Sequence, residues 1–402
     1  MLGFGIWDFV IDSWLLVVQP SGGMKTKGAG DLHAALRLTY LATFLFGTAG
    51  GLFLLLPLYL HQIGSSPAQI GFVVGLLRIS SLVARPLGGH LLDRLGRRPA
   101  IGLGTGLLLL GILSFFVVPR IDPIFLLMRV LQGAGTALVD SGLGAVLADL
   151  APPAARAQIF ALFSLWITVP NAIMPAAGEA LTRHAGFAPL FAVAALVVLA
   201  SLLAVQRLPE TRHPSPAPSV PVALLLRRAF PIVLGASIVG FVFGVISTFV
   251  PVADLAEAPG RVGLFFFAYF LGLIGMRVAG ALGWSQISMP WILLPAYGAM
   301  AAALLILPFG HWLVLLVAVG LVCGAGHGSV IPVLYTVLLV SAPKDQRGMS
   351  VALLAAGFDF GVIAAAMGLG VIAEWVGYRG VFALGGLIVI GAGMLANRIW
   401  KK

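Results

Sequence analysis

Charged residues are scarce in this sequence. Asp, Glu, Lys and Arg together make up 9% of its 402 residues, whereas soluble domains carry roughly a quarter. Hydrophobic residues make up 60%, and the mean hydropathy is +1.07. A chain with so few polar groups cannot cover a folded surface that faces water. The composition therefore excludes an ordinary soluble protein and favours a protein whose solvent is lipid.

Cysteine is almost absent, and so are the usual motifs of enzymes. The single cysteine, Cys323, lies in an apolar run, so the chain has neither a disulfide framework nor a paired-cysteine metal or redox site. We interpret Cys323 as a packing residue. The sequence has no phosphate-binding glycine loop, no cluster with metal-ligand spacing and no Ser/His/Asp set. We therefore expect no enzymatic activity, no ATP hydrolysis, no metal and no cofactor.

Long apolar runs fill the chain instead. Each run has about 20 residues, enough to cross a hydrocarbon core about 30 Å thick. Backbone groups in lipid must bond within their own segment, and the runs lack the alternation of a barrel strand. The pattern predicts an all-α membrane protein. Twelve spans are predicted at 37–60, 67–90, 99–118, 123–147, 157–181, 187–206, 231–253, 261–283, 290–309, 312–339, 348–373 and 379–398.

The segment between the sixth and seventh spans has the composition of a linker, with five prolines and four arginines. We predict a cytoplasmic N-terminal segment at 1–36, a six-helix bundle at 37–206, a cytoplasmic linker at 207–230, a second six-helix bundle at 231–398 and a cytoplasmic tail at 399–402.

The two predicted bundles share a sequence repeat. A shift of roughly 191 to 194 residues superimposes motifs in the same order. A duplicated six-helix unit is typical of transporters whose substrate site lies between two halves near the bilayer midplane. The superimposed residues are Pro57 and Pro251, Arg85 and Arg277, Gly133 and Gly324, Arg156 and Arg347, and Gly186 and Gly377.

The distribution of Lys and Arg over the loops predicts the orientation. With the N-terminus inside, sixteen of the 24 lie in cytoplasmic segments and four on the opposite side. By the positive-inside rule, both termini are then cytoplasmic, and we predict a multi-pass protein of the inner membrane. The net charge of +10 follows from this topology, so we expect no nucleic-acid partner. The four on the opposite side are Arg120, Arg183, Arg261 and Arg379.

Residues 1–23 superficially resemble a signal peptide. Asp8 and Asp12 interrupt the apolar stretch, no Lys or Arg precedes it, and no small-x-small cleavage site follows. Two interpretations stay open. The stretch is either an interfacial segment or the product of an over-long start, with Met24 as the true first residue.

The loop after the second span reads GHLLDRLGRRP and runs from Gly89 to Pro99; we call residues 89–99 the signature loop. The positive-inside rule explains its arginines but not its acid or its glycines. Glycine lets a helix end approach a neighbour closely, and an acid facing a helix N-terminus meets the positive end of the dipole. The loop resembles the signature loop of the major facilitator superfamily.

This resemblance implies the superfamily fold, twelve helices in two pseudo-symmetric bundles of six. It also implies that Asp93 latches the second helix to the eleventh near residues 348–350. Arg97 is implied to pair with an acid at the end of the fourth helix, where Asp149 lies. The implied latch comprises Gly89, Asp93, Arg94, Gly96, Arg97, Arg98 and Asp149.

The fourth span reads LMRVLQGAG from Leu127 to Gly135 and resembles a second motif of the superfamily, found in proton-coupled members. At 100° per residue, one side of this helix is polar. Such a stripe lines something wet, such as a substrate cavity, or it forms an internal ion pair that only holds helices together. The stripe consists of Arg129, Gln132, Thr136 and Asp140.

Further charges lie inside other spans, where each needs a partner or a functional reason. They avoid the third, sixth, ninth and twelfth spans, which face lipid in the superfamily. They couple substrate movement to protons or form permanent ion pairs. His327 either faces the cavity or, as we favour, hydrogen-bonds a neighbouring helix. The charges outside the fourth span are Arg78, Arg85, Arg277 and Asp359.

These features favour a secondary transporter driven by a proton gradient, exporting an amphipathic or drug-like compound. The fifth span departs from the glycine motif of drug:H⁺ antiporters, because only Pro175 and Gly178 match it. One alternative is an uptake symporter or uniporter for a sugar, amino acid or other metabolite. Another is a transport-inactive sensor or assembly factor. We expect a monomer whose partners are a small-molecule substrate, protons and the lipid bilayer.

Overall fold

The structure is a computed structural model, and it is helical almost throughout the residues that it describes. No strand occurs within them, as predicted for an all-α membrane protein. The predicted N-terminal segment, apart from its last residues, lies outside the described residues, as does the middle of the linker. The described ranges are 29–117, 120–152, 155–211, 222–253, 260–283, 289–310, 312–341 and 347–400.

Twelve long helices follow one another along the described chain. A short helix, Leu56–Gln62, continues the first of them, and a π-helical turn, Ala364–Gly368, joins the eleventh to the twelfth. The helices are α1 (Ala29–Phe53), α2 (Pro67–Leu95), α3 (Arg97–Val117), α4 (Pro123–Leu150), α5 (Arg156–Ala185), α6 (Phe187–Val205), α7 (Val222–Phe249), α8 (Arg261–Gly283), α9 (Pro290–Ile306), α10 (Leu313–Ser341), α11 (Arg347–Ile363) and α12 (Leu369–Trp400).

Eleven segments among the described residues are long and apolar enough to cross a membrane, and the last of them crosses twice. This segment, Ser350–Trp400, has 51 residues and would be about 76 Å long as one helix, more than twice the hydrocarbon thickness. Gly377 interrupts it with a φ of 66°, a left-handed conformation that favours glycine, so α11, the π-helical turn and the first turns of α12 form the eleventh crossing, and the rest of α12 forms the twelfth. Twelve crossings leave Ala29 and Trp400 on one face, which we call the terminus side. The opposite face is the far side.

Glycines set the distance between neighbouring helices. Gly320, Gly324 and Gly328 of α10 face α8, and a Cβ on Gly324 would lie 1.8 Å from the carbonyl oxygen of Tyr269. Backbones approach this closely only where no side chain intervenes. The three glycines therefore form a packing face against α8.

The helices form two bundles of six, α1 to α6 and α7 to α12, which we call the first and second halves. The outward faces of α3, α6, α9 and α12 expose large apolar side chains and have no charge in their middle turns, so these helices suit lipid. The exposed residues include Leu103, Leu110, Leu196, Leu203, Leu294, Leu387 and Leu395.

The halves meet along two seams on the far side. In the first seam, α2 packs on the π-helical turn, where a Cβ on Gly71 would lie 2.0 Å from the carbonyl oxygen of Ala366. In the second, α5 packs on α8, where a Cβ on Gly263 would lie 2.3 Å from the Cα of Ala176. On the terminus side, within the described residues, α4 packs mainly on α2 and α3 of its own half. This conformation is therefore closed on the far side.

Candidate functional site

A cavity of about 150 Å³ lies between the halves. The lining comes from α1 to α4, the short helix after α1, α7 and α11, so both halves contribute to its wall. Most of the wall is apolar, and the polar groups come from α2 and α4 with one hydroxyl from α7. The aromatic and polar lining residues are Phe46, Phe53, Phe243, Arg78, Arg129, Gln132, Thr136 and Ser247.

Arg129 is buried at the edge of this cavity with neutral partners. Its Nε donates to the carbonyl oxygen of Val73 at 3.3 Å, and its guanidinium also donates to the side-chain oxygen of Gln132. The hydroxyl of Thr136 donates to the Gln132 carbonyl oxygen at 2.8 Å. The polar stripe predicted on α4 thus faces the cavity through its first three members. Its fourth member, Asp140, lies away from the cavity lining.

A cluster of four charges joins α2, α4 and α11. Asp359 is 1% exposed, and its carboxylate accepts from Arg85 at 3.0 and 3.2 Å and from Arg78 at 3.4 Å. Arg85 also reaches Asp140, with 3.3 Å between Nη1 and Oδ2. Of the three candidate partners Arg78, Arg85 and Arg277, the two on α2, Arg78 and Arg85, pair with these acids. The cluster is electrically neutral and bridges the halves.

Arg277 occupies the place in the second half that Arg85 occupies in the first. Its guanidinium donates to the hydroxyl of Ser164 on α5. Each of the two arginines therefore reaches a helix of the opposite half. Among the described residues, only Arg85 of this pair meets carboxylates, because the α5 position facing Arg277 is a serine.

His327 is buried in the second half and hydrogen-bonds the hydroxyl of Tyr269 on α8. The rings of Phe243 and Phe358 lie within about 6 Å of it. This geometry agrees with the favoured interpretation, a bond to a neighbouring helix. The sequence did not single out Tyr269, because a tyrosine in an apolar run carries no signal of its own.

The signature loop forms a charge network at the terminus side. Arg97 donates from Nη1 to Asp93 at 2.9 Å and from Nε to Asp149 at 3.1 Å. The backbone amides of Arg97 and Arg98 donate to the carboxylate of Glu210 at 2.7 and 3.2 Å. Glu210 thus caps the positive end of α3. Sequence reasoning did not assign it a role.

The other residues of the signature loop make fewer contacts with the rest of the protein. Arg94 and Arg98 have exposed side chains, and Gly96 makes the turn between α2 and α3 with a φ of 101°. A Cβ on Gly89 would meet open space, so the close approach expected of this glycine is not made in this conformation. The side chains at 347–349, next to the expected latch partner, lie outside the described part of α11.

Two acids hold the far-side seams together. The carboxylate of Glu179 on α5 accepts from the backbone amides of Gly260 and Gly263, at 2.9 and 2.7 Å, where α8 begins. Glu374 on α12 accepts from the hydroxyl of Ser66 at 2.7 Å, where α2 begins. The sequence repeat nearly superimposes these contacts. An acid of each half therefore binds a helix start of the other half, an arrangement that the sequence analysis missed.

Comparison with known proteins identifies the family. The sequence profile described as Major Facilitator Superfamily matches residues 39–311 and 284–400. The chain belongs to this superfamily. It is a membrane transporter rather than an enzyme, as predicted, and the predicted fold of two six-helix bundles is confirmed.

Several superfamily members are similar to this chain. The staphylopine export protein of Staphylococcus aureus is 24% identical over 374 residues, 87% of this chain and 92% of that protein. The quinolone resistance protein NorA of the same species is 28% identical over 151 residues, 37% of this chain and 38% of that protein. The crystal structure of the human organic anion transporter MFSD10 (TETRAN) has the same fold, with a TM-score of 0.67 and 19% identity over 94% of this chain and all of that one.

Proposed function

We propose that this superfamily transporter works by alternating access and exports an amphipathic compound in exchange for protons. The observation that carries the proposal is the cavity, which lies between two halves that meet along the two far-side seams. Residues 37–206 and 231–398 would rock as two bodies around it, with 207–230 as the linker. The names of the two relatives described above, an export protein and a resistance protein, support the direction.

Proton coupling in this proposal uses the charge cluster of α2, α4 and α11. A buried carboxylate that two arginines hold in one conformation can take up a proton when the halves separate and those bonds are lost. Asp359 is the principal candidate, because its partners lie across the interface between the halves. Arg129 cannot give up its proton, so its role in the proposal is to attract an anionic group.

The direct test is a compound panel on cells with and without the gene, followed by reconstitution. Cells carrying the gene should resist one class of toxic amphipathic compound and accumulate less of it. Purified protein in liposomes should then move that compound when a pH gradient is applied, and lose the response when the gradient is collapsed. A protein that moves no compound in liposomes would instead be a sensor or an assembly factor.

The proposed orientation places both termini in the cytoplasm of the inner membrane. The variants Ser215→Cys and Pro259→Cys, in a Cys323→Ala background, should label differently in intact cells. An impermeant thiol reagent should modify position 259 and spare position 215, because the linker would be cytoplasmic and the α7–α8 loop external. Permeabilised cells, in which both should label, provide the control. The opposite pattern in intact cells would overturn the orientation.

Glu179 should stabilise the conformation that is closed on the far side. Glu179→Gln keeps the size of the side chain but has one acceptor oxygen, so it loses one of the two bonds to the start of α8 and the charge that strengthens the other. A charge-assisted hydrogen bond contributes about 1.5 to 3 kcal/mol, so the far-side-open population should rise by about ten-fold or more. Distances between spin labels at Ala185 and Trp375, which are exposed on different halves, should lengthen.

The matched control is Glu374→Gln, which removes the repeat-related acid. Glu374 is exposed, and its one partner among the described residues is the hydroxyl of Ser66, so its loss should shift the same distances less. Equal distance distributions in wild type and Glu179→Gln would show that this acid does not act as a far-side lock.

A further inference from the structure

The charges inside the membrane-spanning helices do not balance. Arg78, Arg85, Asp140 and Asp359 pair with one another. In the described part of the chain, neither of the remaining arginines, at positions 129 and 277, forms a salt bridge with an acid. An ion without a compensating charge is unfavourable in such surroundings. Two positive charges are therefore in excess.

Part of this excess faces the cavity. Arg129 is 5% exposed, and both of its hydrogen-bond partners are neutral. Arg78 is also in the lining, and its only bond to Asp359, at 3.4 Å, is longer than the two that Arg85 makes with the same carboxylate. A guanidinium has five N–H donors, so Arg78 has donors left for a ligand. The cavity thus has a cationic end.

The rest of the cavity is suited to an apolar body. Phe46, Phe53 and Phe243 lie on its wall. Its volume of about 150 Å³ is about that of an engineered cavity that holds benzene. In this conformation the site accommodates one ring or a short hydrocarbon chain, next to two guanidinium groups.

We propose that the cavity binds a small amphipathic organic anion, whose anionic head pairs with Arg129 and Arg78 while its apolar body lies against the three phenylalanines. Guanidinium groups bind carboxylate and phosphate oxygens through paired hydrogen bonds. A cation of the same shape would add to the charge excess and would be repelled. The inference rests on the proposed function for its role in transport, but binding can be measured without transport.

Four probes with one phenyl body and different heads test the charge preference. They are 3-phenylpropionate, 2-phenylethylphosphonate, 3-phenylpropylammonium and 3-phenylpropanol, added to the purified full-length protein in detergent. Both anions should raise the melting temperature and bind at least ten-fold more tightly than the cation and the alcohol. The first two probes also distinguish a carboxylate site from a phosphate site. Equal binding of the cation or the alcohol would overturn the proposal.

Substitutions locate the binding site. Arg129→Gln and Arg78→Gln should each weaken anion binding about ten-fold, and Arg129→Lys should restore part of it. Arg120→Gln, which changes an exposed arginine between α3 and α4, should bind as wild type does. If Arg129→Gln fails to fold, Arg78→Gln decides, because this residue is partly exposed. Wild-type anion binding in a folded Arg78→Gln variant would refute the assignment.

Liposome transport separates this proposal from the proposed function. If the protein binds the anions but moves no compound, the anion site is supported and the proposed transport function is refuted. If the protein transports a cationic compound and shows no preference for anions in detergent, the transport function is supported and the anion site is refuted.

Discussion

Asp359→Asn should abolish the response of transport to a pH gradient and spare substrate exchange in the absence of a gradient. The carboxylate is almost completely buried and is held by Arg78 and Arg85 across the interface between the halves. An asparagine can keep hydrogen bonds to these arginines but cannot bind and release a proton in each cycle. We expect gradient-driven transport to fall at least ten-fold, measured in liposomes with the substrate that the compound panel identifies.

The same substitution also leaves Arg78 without its acid and leaves Arg85 with Asp140 alone. Breaking a buried ion pair costs about 3 to 5 kcal/mol, so each variant must first be shown to be monodisperse and folded. Asp359→Glu is the matched variant, because it keeps a titratable group and should retain part of the gradient response. Loss of exchange together with coupling in Asp359→Asn would indicate a structural role. Full gradient-driven transport would show that coupling runs through other groups.

Gly71→Val should hold the transporter open on the far side. A Cβ here would lie 2.0 Å from the carbonyl oxygen and 2.9 Å from the carbonyl carbon of Ala366, and backbone atoms cannot move aside as a flexible side chain can. The clash lies between the halves, so it penalises the closed seam rather than either bundle. We expect transport to fall at least ten-fold while the yield of folded protein stays close to that of wild type.

Thiol labelling measures the opening. The variant Leu54→Cys, at a cavity-lining position near the far side, should react several-fold faster with an impermeant maleimide when Gly71→Val is present, in a Cys323→Ala background. Gly275→Val is the neutral control, because a Cβ there would meet nothing within 4 Å. Gly324→Val is the folding control, because its clash with Tyr269 lies inside the second half. Unchanged labelling in the Gly71 variant would contradict the expectation.

The fold was largely predictable because lipid leaves a chain few choices. Apolar runs of membrane length must be helical, and helical periodicity alone put Arg129, Gln132 and Thr136 on one face of α4. That face lines the cavity. The break at Gly377 also falls between the predicted eleventh and twelfth spans. Each of these features depends on local spacing.

The contacts between the halves were not predictable in the same way. Arg85 and Asp359 are 274 positions apart, and Glu179 and Gly263 are 84 apart. Their meeting depends on how deeply α2 and α5 sit against the opposite half, which the glycines of the two seams determine through backbone approach. The sequence could name Arg78, Arg85 and Arg277 as candidate partners for the acids, but it could not rank them. Glu210 was equally hidden, since an acid at a helix end is common.

The two repeat-related acids make unequal bonds. The far side of the cavity is therefore closed by one strong contact, between α5 and α8, and one weak contact, between α2 and α12. Glu179 is buried and holds two amides of the opposite half as well as Arg183 of its own helix, whereas Glu374 is exposed and holds one hydroxyl. Charge-assisted bonds in a dry site cost more to break than one bond in contact with solvent. When this side opens to release a solute, the contact between α2 and α12 would therefore separate first, while α5 and α8 stay together and act as the hinge.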